Sequence, residues 1–178
     1  MASRVSFSGQ EKSLTEIAEH YESLVAAVRE YYSSASCSYQ DRFGLRAKVE
    51  VDTELSKHLD EIDLNIAFNI MSATEAALRL DYLNRAYQKR RDNLSRELRE
   101  VYKLKAESAS LEDDILAAWT ATGTMPTRLA GDLRGAIKYR HWIAHGRYWE
   151  PKLGRRYDYF TVFNIADSIF DVLDQHTI

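Results

Sequence analysis

Apolar residues recur at steps of three and four along most of this chain, the spacing that gathers them on one face of an α-helix. Ser13-Leu14-Thr15-Glu16 has the form of a capping box, in which the Ser and Glu side chains satisfy each other's backbone N–H groups at a helix start. After it Leu14, Ile17, Tyr21, Leu24, Val28 and Tyr32 share one face and predict a first helix. The periodicity then lapses over 33–51, where Ser34, Ser36, Ser38 and Gly44 predict an irregular connection and a candidate mobile loop. From Thr53 the stripe Leu55, Leu59, Ile62, Ile66, Ile70, Ala73, Ala77, Leu80, Leu83 and Tyr87 holds for about nine turns. It resumes at Leu94, Leu98 and Val101 after the polar run Gln88-Lys89-Arg90-Arg91-Asp92-Asn93, so residues 53–105 form either one helix or two. A straight helix of that length would measure roughly 75 Å, against a radius of gyration of about 16 Å for a globule of this size. A bend or break near 89–93 is favoured, unless the excess length pairs with a second copy.

Ser110-Leu111-Glu112-Asp113 again has capping-box form and opens a short helix with Ile115, Leu116 and Trp119, ended by Gly123 and Pro126. Thr127 is placed to cap the next helix, whose stripe is Leu129, Leu133, Ile137 and Ala144 and whose stop is Gly146. Tyr148 to Phe160, with Pro151 and Gly154, predicts a loop or a short hairpin, and a last helix begins at Thr161 with Val162, Ile165, Ile169 and Val172. The pattern predicts an all-α bundle of five to six helices, one of them long and kinked, in a single domain over 1–178.

Composition agrees: 7 Gly and 2 Pro in 178 residues leave little for the turns of a sandwich or barrel, and a hydrophobic content of 45% suffices for a core. The lone Cys37 excludes an intramolecular disulfide and a thiolate zinc cluster. No segment has the apolar length of a signal peptide or a membrane span, so a cytoplasmic location without membrane attachment is expected.

Charge changes the picture only locally. Glu50 to Asp63 holds six acidic residues against Lys57, whereas Arg128 to Arg156 holds eight Lys or Arg against Asp132 and Glu150. A local basic patch on a slightly acidic protein is the electrostatic form of a nucleic-acid site, although a solvated helix face gives the same count. Lys89, Arg90 and Arg91 are read most simply as a solvated kink, with phosphate contact the minority reading.

Within the basic region, Tyr139-Arg140-His141-Trp142-Ile143-Ala144-His145-Gly146-Arg147-Tyr148-Trp149 concentrates the residue types that do chemistry. Arg holds phosphate in a bidentate fork and His exchanges protons near neutral pH. Arg140 lies about 20° from Leu133 and about 40° from Ala144 on a helical wheel, inside the apolar stripe. It therefore needs a partner such as Glu75 or a cleft at an interface. His145 lies about 140° around from Arg140, so one straight helix does not aim both at one point. A loosened last turn, the reach of Arg140, or two copies of the helix meeting would each resolve this. His141 and His145 stand at i and i+4, a zinc-hydrolase spacing, but Trp142 occupies the place of the Glu those enzymes use, and no metal or other cofactor is expected. Trp142, Trp149, Tyr139, Tyr148, Tyr157 and Tyr159 are candidates either for base stacking or for the core.

Arg140, four residues, then His145, late in an all-helical chain, resembles the HEPN superfamily. Supporting features are the long helix with Glu75-Ala76-Ala77-Leu78-Arg79, the short acidic helix around Trp119, and Pro151 after the motif. These look like bacterial proteins grouped with the RiboL-PSP branch, over about residues 53–170. Arg134 and His141 stand at the six-residue spacing of the same motif. Many members carry a short polar residue directly after the Arg, where this chain has His141. The resemblance implies a dimerising helical bundle and a metal-independent endoribonuclease, in many members a toxin or phage-defence effector with an antitoxin partner. It further implies that Arg140 stabilises transition-state charge and His145 moves protons, assisted by His141 and Glu75, leaving a 2′,3′-cyclic phosphate. The RNA-contacting residues would be Arg79, Arg134, Lys138, Arg147, Tyr148 and Trp149. The alternative is a non-catalytic HEPN-like module that binds RNA, a nucleotide or a partner protein.

Overall fold

A computed structural model describes residues 4–176, so the ends of the expected 1–178 domain, 1–3 and 177–178, lie outside the described residues. Among the described residues there are seven α-helices and no strand: α1 Leu14–Tyr31, α2 Tyr39–Phe43, α3 Lys48–Gln88, α4 Asn93–Lys105, α5 Leu116–Ala121, α6 Thr127–Ala144 and α7 Tyr159–His176. None of them is long and apolar enough to cross a membrane.

Helix α3 is the spine. Its 41 residues span about 60 Å, and α1, α4, α6 and α7 all pack against it. From Ile66 onward its inner face is sealed by Ile66, Ile70, Met71, Leu78 and Tyr82, which join Ile17 of α1, Leu98 of α4, Leu133 of α6 and Ile169 of α7 in one core. The first half is less covered. Leu55, Leu59 and Ile62 are only half-buried there, and a satellite cluster of Tyr32, Phe43 and Val51 ties the end of α1 and the short α2 to the start of α3.

The break between the two segments of the long stripe falls where the polar run predicts it. Lys89 takes a left-handed conformation (φ 54°, ψ 40°) that ends α3. Asp92 then caps α4, accepting from the Ser95 N–H at 2.9 Å and the Ser95 hydroxyl at 2.6 Å, and α4 packs back on α3. The capping box at α1 is present, with Glu16 N–H donating to Ser13 Oγ at 3.2 Å and Ser13 N–H to Glu16 Oε2 at 2.8 Å.

Five local expectations are corrected. The connection over 33–51 contains the helix α2 and the first turn of α3, which begins at Lys48 rather than Thr53. The box at Ser110 is only half formed, because Ser110 N–H donates to Asp114 Oδ2 at 2.7 Å instead of to Asp113, and a wide turn over Leu111–Ile115 precedes α5. Pro126, not Thr127, occupies the cap position of α6, with Thr127 already inside the helix. Residues 148–158 form a loop without a hairpin, and α7 starts at Tyr159 rather than Thr161. Ala144 is exposed rather than part of the buried stripe, because the last turn of α6 emerges from the core.

Gly135 on α6 is fixed by a close approach rather than by a turn. A Cβ there would lie 1.9 Å from the hydroxyl oxygen of Tyr157, a buried side chain stacked on Tyr139 at 5.4 Å. Ala normally stabilises a helix interior by up to about 1 kcal/mol over Gly, but here overpacking dominates. Gly135→Ala should lower unfolding free energy by about 1–3 kcal/mol in chemical denaturation. Tyr157→Phe in the same chain should recover part of the loss.

Candidate functional site

The C-terminal end of α6 is closed by a Schellman motif. Gly146 N–H donates to the Ile143 carbonyl at 3.1 Å and Arg147 N–H to the Trp142 carbonyl at 3.1 Å, with Gly146 left-handed at φ 79°. Arg147 follows at φ 59°, also left-handed, a conformation that costs a non-glycine residue roughly 1 kcal/mol or more. Two successive left-handed residues turn the chain sharply, and the Trp142 indole fixes the turn by donating Nε1–H to the Trp149 carbonyl at 2.6 Å.

Two groups of side chains form around this helix end. The first joins α3 and α6. Arg140 is 29% exposed; one guanidinium nitrogen lies 3.8 Å from Glu75 Oε2, and its Cζ stands 5.3 Å from the ring centroid of Phe68. Its Nε is buried and has no hydrogen-bond partner. Glu75 also accepts from Arg79 Nε at 2.9 Å, and Arg79 donates to the Ala109 carbonyl at 3.1 Å. Glu75 is thus shared by two cations, and Arg140 receives the longer contact. The second group is exposed. The rings of His141 and His145 lie 6.4 Å apart, His145 lies 6.3 Å from Trp149, and Trp149 lies 4.6 Å from Tyr148, itself 83% exposed.

The structure brings Glu75, Arg79 and Arg140 together, and separately His141, His145, Tyr148 and Trp149. Arg140 and His145 are not hydrogen-bonded to each other, as their angular separation on the helix requires. Arg134 is half-buried and Lys138 exposed on α6. Arg147 is held by Glu61, with Nη1 2.6 Å from Oε1, and this hydrogen bond raises its guanidinium pKa above the usual value. Burial pushes the Tyr139 hydroxyl up to about 12, so it is a neutral core group at physiological pH. No group of three His, Cys, Asp or Glu suited to hold a metal ion occurs among the described residues.

Two residues of this neighbourhood, Glu61 and Phe68, escape sequence reasoning, although the signal is present. Glu61, Phe68 and Glu75 stand seven apart on α3, and Arg147 stands seven beyond Arg140, just past the end of α6. On α3 a seven-residue step returns to nearly the same helix face. Glu61 meets Arg147 while Phe68 and Glu75 meet Arg140, so α6 and the turn that follows it run antiparallel to α3.

No protein family, curated protein or solved structure matches this chain in comparison. The functional reading therefore rests on its own residues.

Proposed function

We propose that this protein is a metal-independent endoribonuclease of the HEPN type, working as a homodimer in which the α6 ends of two subunits supply Arg140 and His145 to one cleft. The observation that carries the reading is Arg140: a guanidinium set into the core edge, held by a shared carboxylate at 3.8 Å, with a buried Nε lacking a partner, and followed by two exposed imidazoles, His141 one residue on and His145 five. Such a group retains capacity to bind a phosphate. In the proposed reaction an RNA 2′-oxygen attacks the adjacent phosphorus. The P–O5′ bond breaks as the P–O2′ bond forms, leaving a 2′,3′-cyclic phosphate and a 5′-hydroxyl. His145 takes the 2′-hydroxyl proton or returns one to the leaving oxygen, Arg140 offsets charge on the nonbridging oxygens, and Glu75 and His141 orient them. Arg79, Arg134, Lys138, Arg147, Tyr148 and Trp149 contact the strand. A role as a toxin or phage-defence effector, restrained by an antitoxin, belongs to the same proposal.

The test is RNA cleavage in EDTA by purified wild-type, Arg140→Ala and His145→Ala proteins, scored by the cyclic phosphate end. Equal cleavage by all three removes the assignment. A second reading, a non-catalytic helical module that binds RNA, a nucleotide or a partner protein, draws on the Arg140–Glu75 and Arg147–Glu61 ion pairs, which offset the cations within one chain. RNA binding without scission, unaltered by His145→Ala, selects it.

A further inference from the structure

The Lys89-Arg90-Arg91 run between α3 and α4 borders a cleft of about 750 Å³, within the range of small-molecule sites. Five of its lining side chains are cations, Arg4, Lys89, Arg91, Arg99 and Lys103, and none is a carboxylate. Three chain segments converge there: the N-terminal strap, the end of α3 with its left-handed Lys89, and one face of α4. Lys103 is offset by Glu100 at 2.7 Å. Arg4 lies 5.0 Å over the Tyr87 ring and donates to the Tyr87 carbonyl at 3.4 Å, and Arg99 donates to the Arg90 carbonyl. Those contacts place the guanidinium groups without neutralising them. Among the described residues Lys89 and Arg91, both exposed, have no ion-pair partner. Four uncompensated cations thus share one cleft on a chain whose net charge is -3. Like charges held together repel, and an anion of matching size relieves the repulsion.

We propose that this cleft binds a small ligand carrying adjacent phosphate groups, of the pyrophosphate or triphosphate kind. A single phosphate or carboxylate engages one or two of the cations, whereas two or three linked phosphates match both the number of charges and the breadth of the cleft. Arg4 and Arg99 are positioned for bidentate contacts, Lys89 and Arg91 for charge, and Tyr87 and Tyr102 line the wall against the remainder of the ligand. Tyr87 lies twelve residues beyond Glu75 on α3, about 18 Å along the axis, so this proposal stands apart from the one made for the end of α6.

The experiment is calorimetric titration of the whole chain with inorganic tripolyphosphate, orthophosphate and a single-stranded RNA oligonucleotide carrying a 5′-hydroxyl. It compares wild type with Lys89→Gln/Arg91→Gln and with a charge-matched control, Lys48→Gln/Lys57→Gln, on the exposed far end of α3. The expected result is tripolyphosphate binding that the cleft variant weakens by about tenfold or more, that the control leaves unchanged, and that rising salt weakens. Orthophosphate should bind at least about tenfold more weakly. No tripolyphosphate binding, equal affinity for orthophosphate, or the same loss in the control overturns the proposal. RNA binding that the cleft variant abolishes, without any tripolyphosphate binding, also overturns it and assigns the cations to a strand.

Discussion

RNA cleavage by His145→Ala should fall about 10²–10⁴-fold, the usual contribution of a positioned proton carrier. Arg140→Ala should fall about 10²–10³-fold, the range for losing one preorganised donor to transition-state charge. Both variants should keep wild-type melting behaviour to within a small margin. His145 is exposed at the helix end, and the ion pair Arg140 loses is a long one to a carboxylate already held by Arg79. That separation of activity from stability is informative, because a merely structural Arg140 gives the opposite pattern. Mixing Arg140→Ala with His145→Ala chains tests the shared cleft. If each cleft draws its Arg and His from different subunits, mixed dimers regain one intact site and the mixture recovers activity that neither variant has alone.

The largest stability loss is expected at Arg85. This side chain is 2% exposed in the heart of the bundle. Its Nε donates to both carboxylate oxygens of Asp81 at 2.9 and 2.7 Å, Nη1 to Asp92 and Ser95 at 3.2 Å each, and Nη2 to the His176 carbonyl at 2.7 Å, while Cζ lies 5.3 Å from the Trp119 ring centroid. One guanidinium thereby joins α3, the cap of α4, α5 and the end of α7. Arg85→Ala strands the Asp81 carboxylate inside and should cost about 3–5 kcal/mol in chemical denaturation. The loss should depend on pH. Burial already pushes the Asp81 carboxyl above its ordinary value, with Arg85 pulling it back, so removing Arg85 raises it further. A carboxyl with a raised folded-state pKa binds more protons folded than unfolded, so it opposes folding as pH rises. The gap between variant and wild type should therefore narrow as pH is lowered from 7 toward 5. A gap that widens would contradict this account.

What was legible in the sequence is what short-range geometry determines. The stripes of α1, α3 and α4, the capping box at Ser13, and the break over 89–93 follow from side chains a few residues apart, and the sum of helix length against globule size pointed to the break. The pairing of Arg140 with Glu75 was legible for a related reason: a charge inside an apolar stripe demands a partner. Arg85 gave no such warning. It lies outside the stripe used to draw the long helix, and its partner at His176 is 91 residues away. Arg147 and Glu61 are likewise 86 residues apart, and counting charges along the chain does not reveal that these members of the basic region and the acidic run face each other. Cap details failed where a competing donor or acceptor lay next door, as Asp114 did beside Ser110.

The two ion pairs that join α3 to the C-terminal end of α6 also act as a depth gauge. Sliding α6 by a single turn would carry Arg140 and Arg147 away from Glu75 and Glu61 together, and a shift of about 10 Å, two full turns, would set one of the two cations against Phe68 instead of a carboxylate. Shifted positions are disfavoured, so the terminus of α6 docks at a defined depth and presents His141 and His145 from a fixed platform.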